Sequence, residues 1–350
     1  MTDRMNSGAK LLSVLAIGMV IALLAVPALA QVNTEIDKNL KPYGANGDHL
    51  SGKLPIGASE SLEKLVEIWG QKFQDHHSAV KVETTLITYT DAQKAIEVGS
   101  QPIPEGAKMV ALSHSLSQKE LARIKAASGV EPIEIPIALD GIVIIVNSKN
   151  PIKGMTLDQV AMVFADKGSL PEKWSQIGVD GKLQDVHLNL YGREDTSGTF
   201  AAFQEMALKG AKQRKEVHPE PGSMSVVVEV GTDEAGIGYA ATGHAGKSKR
   251  VKAIPLARKA GEPFILPTND TVVSGENPLA RYLYLYAMPN PDGRLDPVIK
   301  HFIAHVLSRN GQTVAHYEGF FPLPSSVTEQ ALRRIEHGSS VRSALTVPAK

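Results

Sequence analysis

Apolar residues fall in two periods along this chain. Leu54 and Ile56 alternate with polar or small neighbours, the spacing of a short half-buried strand. Leu62, Leu65, Val66, Trp69 and Phe73 follow at i, i+3, i+4, i+7 and i+11, the stripe of an amphipathic helix. Residues 80–86 read as a second strand, 92–99 as a short helix, 108–112 as a third strand and 117–127 as a helix. The run IEIPIALDGIVIIVN, residues 133–147, is apolar along nearly its whole length, as a strand covered on both faces would be. Beyond it the pattern predicts a helix over 156–164, a strand over 186–190 and a helix over 198–208. Short apolar elements follow at 225–229 and 237–240, then strands at 251–255 and 282–288 and a helix over 297–307. Strands alternating with helices predict an α/β protein built on mainly parallel sheet. Residues 31–47 are polar and unpatterned and read as an extended leader. Residues 326–350 read as a peripheral tail holding one weak helix, 327–335.

Composition narrows the function. The chain has 350 residues, 37 basic against 37 acidic side chains, and no cysteine. Zero formal charge argues against non-specific nucleic-acid binding, which draws on a basic surface. Without cysteine there can be no disulfide, no thiolate nucleophile and no thiolate metal site. At the N-terminus, Arg4 and Lys10 precede the apolar run LLSVLAIGMVIALLAV and then Ala28-Leu29-Ala30. A charged start, a short apolar core and a small-x-small site are the parts of a secretory signal peptide. Residues 1–30 are therefore expected to be removed after Ala30, leaving an exported, soluble protein.

The stretch LNLYGREDTSGTF, residues 188–200, carries the most chemistry. It passes from a strand into a helix through an arginine, two acids, three hydroxyls and two glycines. The first backbone N–H groups of a helix lack partners and sit at the positive end of its dipole, a natural place for an anion. Ser197 and Thr199 can add hydroxyl donors, Gly198 lets backbone come close to a ligand, and Arg193 offers a planar charged fork. Asp195 is placed to orient that arginine. An ordinary N-cap on Ser197 or Thr196, beside a surface Arg–Asp pair, would explain the same residues. Other strand-to-helix turns, however, repeat the pattern: Ser59-Glu60-Ser61, Thr88-Tyr89-Thr90 and Ser113-His114-Ser115. In an open α/β sheet such turns gather at the carboxyl edge of the strands.

IGASESLEKLVEIWGQKF, SHSLSQKEL, IPIALDGIVIIVNSKNPIKGMTLDQVAMVF, LYGREDTSGTFAAF, EAGIGYAA, VKAIPLA, ARYLYLYAMP and FIAHVLSRNGQTVAHYEGFFPLP follow one another in this order. In that order and spacing the chain resembles the periplasmic phosphate-binding proteins of bacterial ABC phosphate importers (PstS-type). The resemblance implies the class II periplasmic binding protein fold: two α/β lobes with mainly parallel sheets joined by a two-segment hinge. Lobe 1 is expected to combine residues 48–140 and 252–325, and lobe 2 to hold 141–251, with crossovers near 138–140 and 251–253. It further implies a non-enzymatic binding protein, without cofactor or metal. Such a protein holds phosphate or a similar oxyanion on Ser59, Ser61, Thr90, Ser113, Arg193, Ser197, Gly198 and Thr199, with Asp195 steadying the arginine. Its implied partner is the membrane permease of an ABC importer, and it is expected to act as a monomer. Three features depart from the family pattern: Lys108 stands where many members have an acid, His114 follows Ser113, and Tyr89-Thr90-Asp91 replaces a glycine-serine turn. They favour an alternative, an exported signalling or interaction protein of the same fold with altered oxyanion uptake.

Two further signals read as incidental. ATGHAGKS, residues 241–248, nearly spells a nucleotide P-loop but begins with Ala and runs into a strand rather than a helix, so it reads as a polar surface loop. His301 and His305 lie one helical turn apart with Phe302 where a zinc protease would need Glu, and read as half-buried helix residues.

Overall fold

The computed structural model describes residues 36–44, 49–87, 107–168 and 170–337. The expected signal peptide with its cleavage site, Thr90 and the helix expected over 92–99 lie outside them. Eleven strands are described: β1 (Gly52–Ser59), β2 (Val80–Ile87), β3 (Met109–Leu112), β4 (Ile133–Asn147), β5 (Met155–Thr156), β6 (Asn189–Arg193), β7 (Val217–Glu220), β8 (Gly236–Ala241), β9 (Val251–Ala253), β10 (Leu256–Ala257) and β11 (Ala280–Ala287). The α-helices are α1 (Glu63–His76), α2 (Gln118–Ser128), α3 (Leu157–Phe164), α4 (Gly198–Met206), α5 (Ser223–Thr232), α6 (Thr242–Ala245), α7 (Asn269–Val273), α8 (Pro297–Leu307), α9 (Arg309–Tyr317) and α10 (Ser325–His337).

One sheet runs in the order β2-β1-β3-β11-β4-β8-β6-β7, with β9 also on β4. Strands β1, β2 and β3 are mutually parallel, as are β6, β7 and β8. Every antiparallel pairing involves β4 or β11, so the sheet is mixed. The fifteen-residue β4 joins the two parallel sets: through Gly141 it pairs with β11, and from Ile142 with β8. Its apolar run is explained by what covers it. Ile133, Ile135 and Ile137 lie in one core. After Gly141, Ile142, Ile144 and Val146 enter a second core, while Val143 and Ile145 point to a third cluster on the opposite face.

Local chemistry sets the helix ends. Ser117 and Glu120 form a reciprocal capping box at the start of α2, as Thr156 and Gln159 do for α3; each such cap contributes about 1 kcal/mol. Helix α2 ends on Gly129 at φ +76°, the left-handed position that glycine fills without strain. Trp69 on α1 is buried and donates its indole N–H to the Gly311 carbonyl of α9 at 2.7 Å.

Three expectations change. Residues 252–279 do not belong to the first lobe alone, since Ile254, Leu256 and Leu279 pack in the second core and Val272 in the first. The tail is not peripheral through residue 337: α10 buries Ala331 and Ile335 in the first core. Residues 242–245 form a short helix rather than a surface loop. Thr242 Oγ1 there donates to the Gly141 carbonyl at 2.5 Å, and Gly243 packs so closely on Gly319 that a Cβ would come within 2.8 Å of its carbonyl oxygen.

Candidate oxyanion site

The carboxyl ends of β1, β3 and β6 meet at one place. Ala58 pairs with Ala111, which brings Ser59, the last residue of β1, and Ser113, the first after β3, to the same edge, at the carboxyl ends of neighbouring parallel strands. Across from them, β6 delivers Arg193 and the first turn of α4. A Cβ built on Gly198 would stand 2.2 Å from Ser113 Oγ, so only glycine lets the two halves of the sheet approach this far.

Among the described residues, Ser59 Oγ, Ser61 Oγ and Ser113 Oγ are buried with no hydrogen-bond partner, and Ser113 is fully buried. An unsatisfied buried polar group costs about 1–3 kcal/mol, so three together describe a site completed by a polar ligand. Helix α1 follows β1 at the same edge, and its N-cap, Leu62, offers no side-chain cap. Helix α2 differs, since its own capping box satisfies its start. At α4, Ser197 caps the helix by accepting from Thr199 N at 3.1 Å. The N-cap reading of Ser197 and the ligand reading are therefore compatible, as the hydroxyl keeps its own proton to donate.

Arg193 is placed otherwise than expected. It is buried, and its guanidinium donates to the Glu220 carbonyl at 3.2 Å, Ser223 Oγ at 3.1 Å, the Pro221 carbonyl at 2.8 Å and Glu60 Oε2 at 2.7 Å. Asp195 is not among these partners; it is exposed. The orienting role expected of Asp195 falls instead to Glu60, one residue beyond Ser59 and on the other half of the sheet.

Two features the sequence reading passed over also gather here. Arg281 on β11 and Asp140 on β4 are paired across the strands and both buried. Asp140 Oδ2 accepts from Arg281 Nη2 at 2.9 Å and Nε at 3.3 Å. Arg281 is the one charge in ARYLYLYA and Asp140 is a buried charge in the middle of IEIPIALDGIVIIVN, and that was the available signal: long buried strands rarely carry a charge without its counter-charge.

The departures Lys108 and His114 resolve differently. Lys108 precedes β3, at the end away from Ser113, and its exposed ammonium donates to Asn290 Oδ1 at 3.1 Å. His114 follows Ser113. Burial pulls its pKa down to about 4, with Arg281 adding to the effect and Glu120 opposing it, so at neutral pH it brings no charge to the site.

A family model described as the PBP superfamily domain matches residues 44–310. The chain belongs to the PBP superfamily. Within this superfamily it is 31% identical over 316 residues to a Pseudomonas aeruginosa protein named phosphate-binding protein PstS, covering 89% of this chain and 94% of the relative. That relative places it in the PstS family. Two solved structures share its fold. A Clostridium perfringens protein solved with bound phosphate superposes with a TM-score of 0.61 at 24% identity, covering 78% of this chain and all of that one. An ABC-type phosphate transport receptor from Vibrio cholerae gives 0.61 at 18% identity, with 77% and 100% covered.

Proposed function

We propose that this PBP-superfamily protein captures phosphate, or a similar tetrahedral oxyanion, between the two halves of its sheet and delivers it to an ABC importer. The observation that carries this reading is the set of three buried hydroxyls, Ser59, Ser61 and Ser113, unpartnered among the described residues, of which Ser113 lies against the glycine-opened start of α4. Hydroxyls on one side and the N-terminal turn of α4, with Ser197, Gly198 and Thr199, on the other surround an anion with donors. Both sides contribute, so the ligand favours the closed arrangement and shifts an open–closed equilibrium. The membrane subunits would then recognise the closed form. Thr90 belongs to the same reading as a further donor. The names of the relatives support phosphate as the ligand, and the apolar run with its Ala28–Ala30 site supports export to the periplasm. The reading involves no covalent step and no cofactor, and treats the protein as a monomer.

One observation favours the second reading, a signalling or interaction protein of the same fold. The arginine expected to grip the anion is already engaged by Glu60, Ser223 and two carbonyls. Calorimetric titration of the mature chain, stripped of ligand by unfolding and refolding, separates the two. Phosphate binding that weakens in Ser113→Ala supports uptake; silence with both phosphate and sulfate in a folded protein supports the signalling role.

A further inference from the structure

Arg281 has no part in the reading above, yet it touches the two residues that begin α4. Its Nη1 donates to the Gly198 carbonyl at 3.1 Å and its Nη2 to Thr199 Oγ1 at 3.3 Å. Arg281 is 7% exposed, and Asp140, which receives its remaining face, is fully buried. Asp140 is itself fixed, because its Oδ1 accepts from Gly141 N at 2.8 Å. A planar fork held on one edge by a carboxylate presents its other edge in a set direction. That direction is the start of α4, which lies on the other half of the sheet.

From this geometry we infer that Arg281 is a positioning residue for the oxyanion, acting through Thr199. The inference rests on the oxyanion reading and deepens it. A hydroxyl that accepts from a guanidinium cannot give its own proton back to that cation. Thr199 Oγ1 is fully buried and donates to no protein acceptor among the described residues, so its proton is left for a ligand oxygen. Arg281 thereby fixes the polarity of Thr199 as a donor. Its bond to Gly198 also holds the α4 turn against Ser113 when the halves are closed. Without Arg281 the hydroxyl would be free to turn, and the turn would lose a contact made only in the closed form.

The test uses the full mature chain and inorganic phosphate, comparing wild type, Arg281→Lys, Thr199→Val and the double variant by calorimetry. Arg281→Lys keeps the charge beside Asp140 and removes the fork. We expect it to weaken phosphate binding about tenfold, the size of one hydrogen bond involving a charged group. Because part of the effect runs through Thr199 and only the Gly198 contact acts apart from it, the losses in the double variant should fall well short of additive. A purely structural role for Arg281 predicts additive losses instead, and that result, or unchanged binding in Arg281→Lys, overturns the inference. Absence of phosphate binding in wild type is a different outcome and sinks the oxyanion reading itself. If Arg281→Lys does not fold, a crystal structure of the wild-type phosphate complex decides. Thr199 Oγ1 must then lie within hydrogen-bond distance of both a phosphate oxygen and Arg281, and a complex lacking either contact overturns the inference.

Discussion

Glu60 Oε2 lies 2.7 Å from Arg193 Nη2 and ties the turn after β1 to the end of β6. The guanidinium is 1% exposed and the carboxylate 39%, so the bridge is half-screened by solvent and worth less than a buried pair. Three of the four bonds on Arg193 are made within its own half of the sheet, which leaves Glu60 as the contact that crosses. Glu60→Gln should therefore loosen closure. The ligand-free variant is expected to be more expanded in solution scattering, and its phosphate affinity lower by roughly threefold to tenfold. A rise in affinity would show that Glu60 competes with the ligand for the arginine.

Gly198 and Ser113 form the tightest approach between the halves. A methyl group at Gly198 would sit 2.2 Å from Ser113 Oγ, a separation no packed pair of atoms tolerates. Gly198→Ala should leave each half folded, so its melting temperature stays near that of wild type. Ligand-induced compaction and phosphate binding should be lost together. Replacing Ser113 by Gly in the same chain removes the clash and should restore compaction in scattering, though not full affinity, because the hydroxyl is gone.

Much of this site was legible in the chain, and the parts that were not share a cause. Helix starts after strands could be read locally, because Ser59, Ser113 and Ser197 stand beside the apolar periods that define the elements. Partner choice could not. Asp195 is two residues from Arg193 and was the natural local partner. Glu60 is 133 positions away and reaches the arginine only because β1 and β6 end at the same edge. Arg281 and Asp140 are 141 positions apart and met the same obstacle. The shared packing of residues 252–279 was hidden for a further reason: β9 and β10 are three and two residues long, too short to show a period. Helix α10 looked peripheral because so few of its residues are apolar, yet its spacing puts Ala331 and Ile335 on one buried face.

The unpartnered hydroxyls make opposite predictions for stability and binding. In Ser113→Ala a buried group with no partner among the described residues is removed, which should leave thermal stability unchanged or raise it by about 1 kcal/mol. Phosphate affinity should fall by about tenfold, the loss of one donor to a charged ligand. Ser59→Ala should behave alike. A variant that lost stability and kept its affinity would mean that these hydroxyls serve the fold.

Acid sensitivity should trace to a buried histidine far from this site. His305 is 1% exposed, and among the described residues neither ring nitrogen has a hydrogen-bond partner. Its ring lies edge-on to Tyr43 with centroids 5.0 Å apart and tilted against Phe73 at 5.8 Å. Burial holds its pKa down to about 4, reinforced by His76 and His77 and opposed by Asp75. In the unfolded chain the ring titrates near its ordinary value of about 6.5. Between those values the unfolded chain binds a proton that the folded one does not, so stability falls as the pH drops from 7 towards 4. For this one ring the loss between pH 7 and pH 5 is of the order of 2 kcal/mol. Phenylalanine keeps the aromatic contacts and cannot be protonated. His305→Phe should match or exceed wild-type stability at pH 7 and lose less on acidification to pH 5, measured as denaturant midpoints at the two pH values. Equal losses in the two proteins would assign the acid limb to other groups, of which His114, also held near pKa 4 by burial, is the first to substitute.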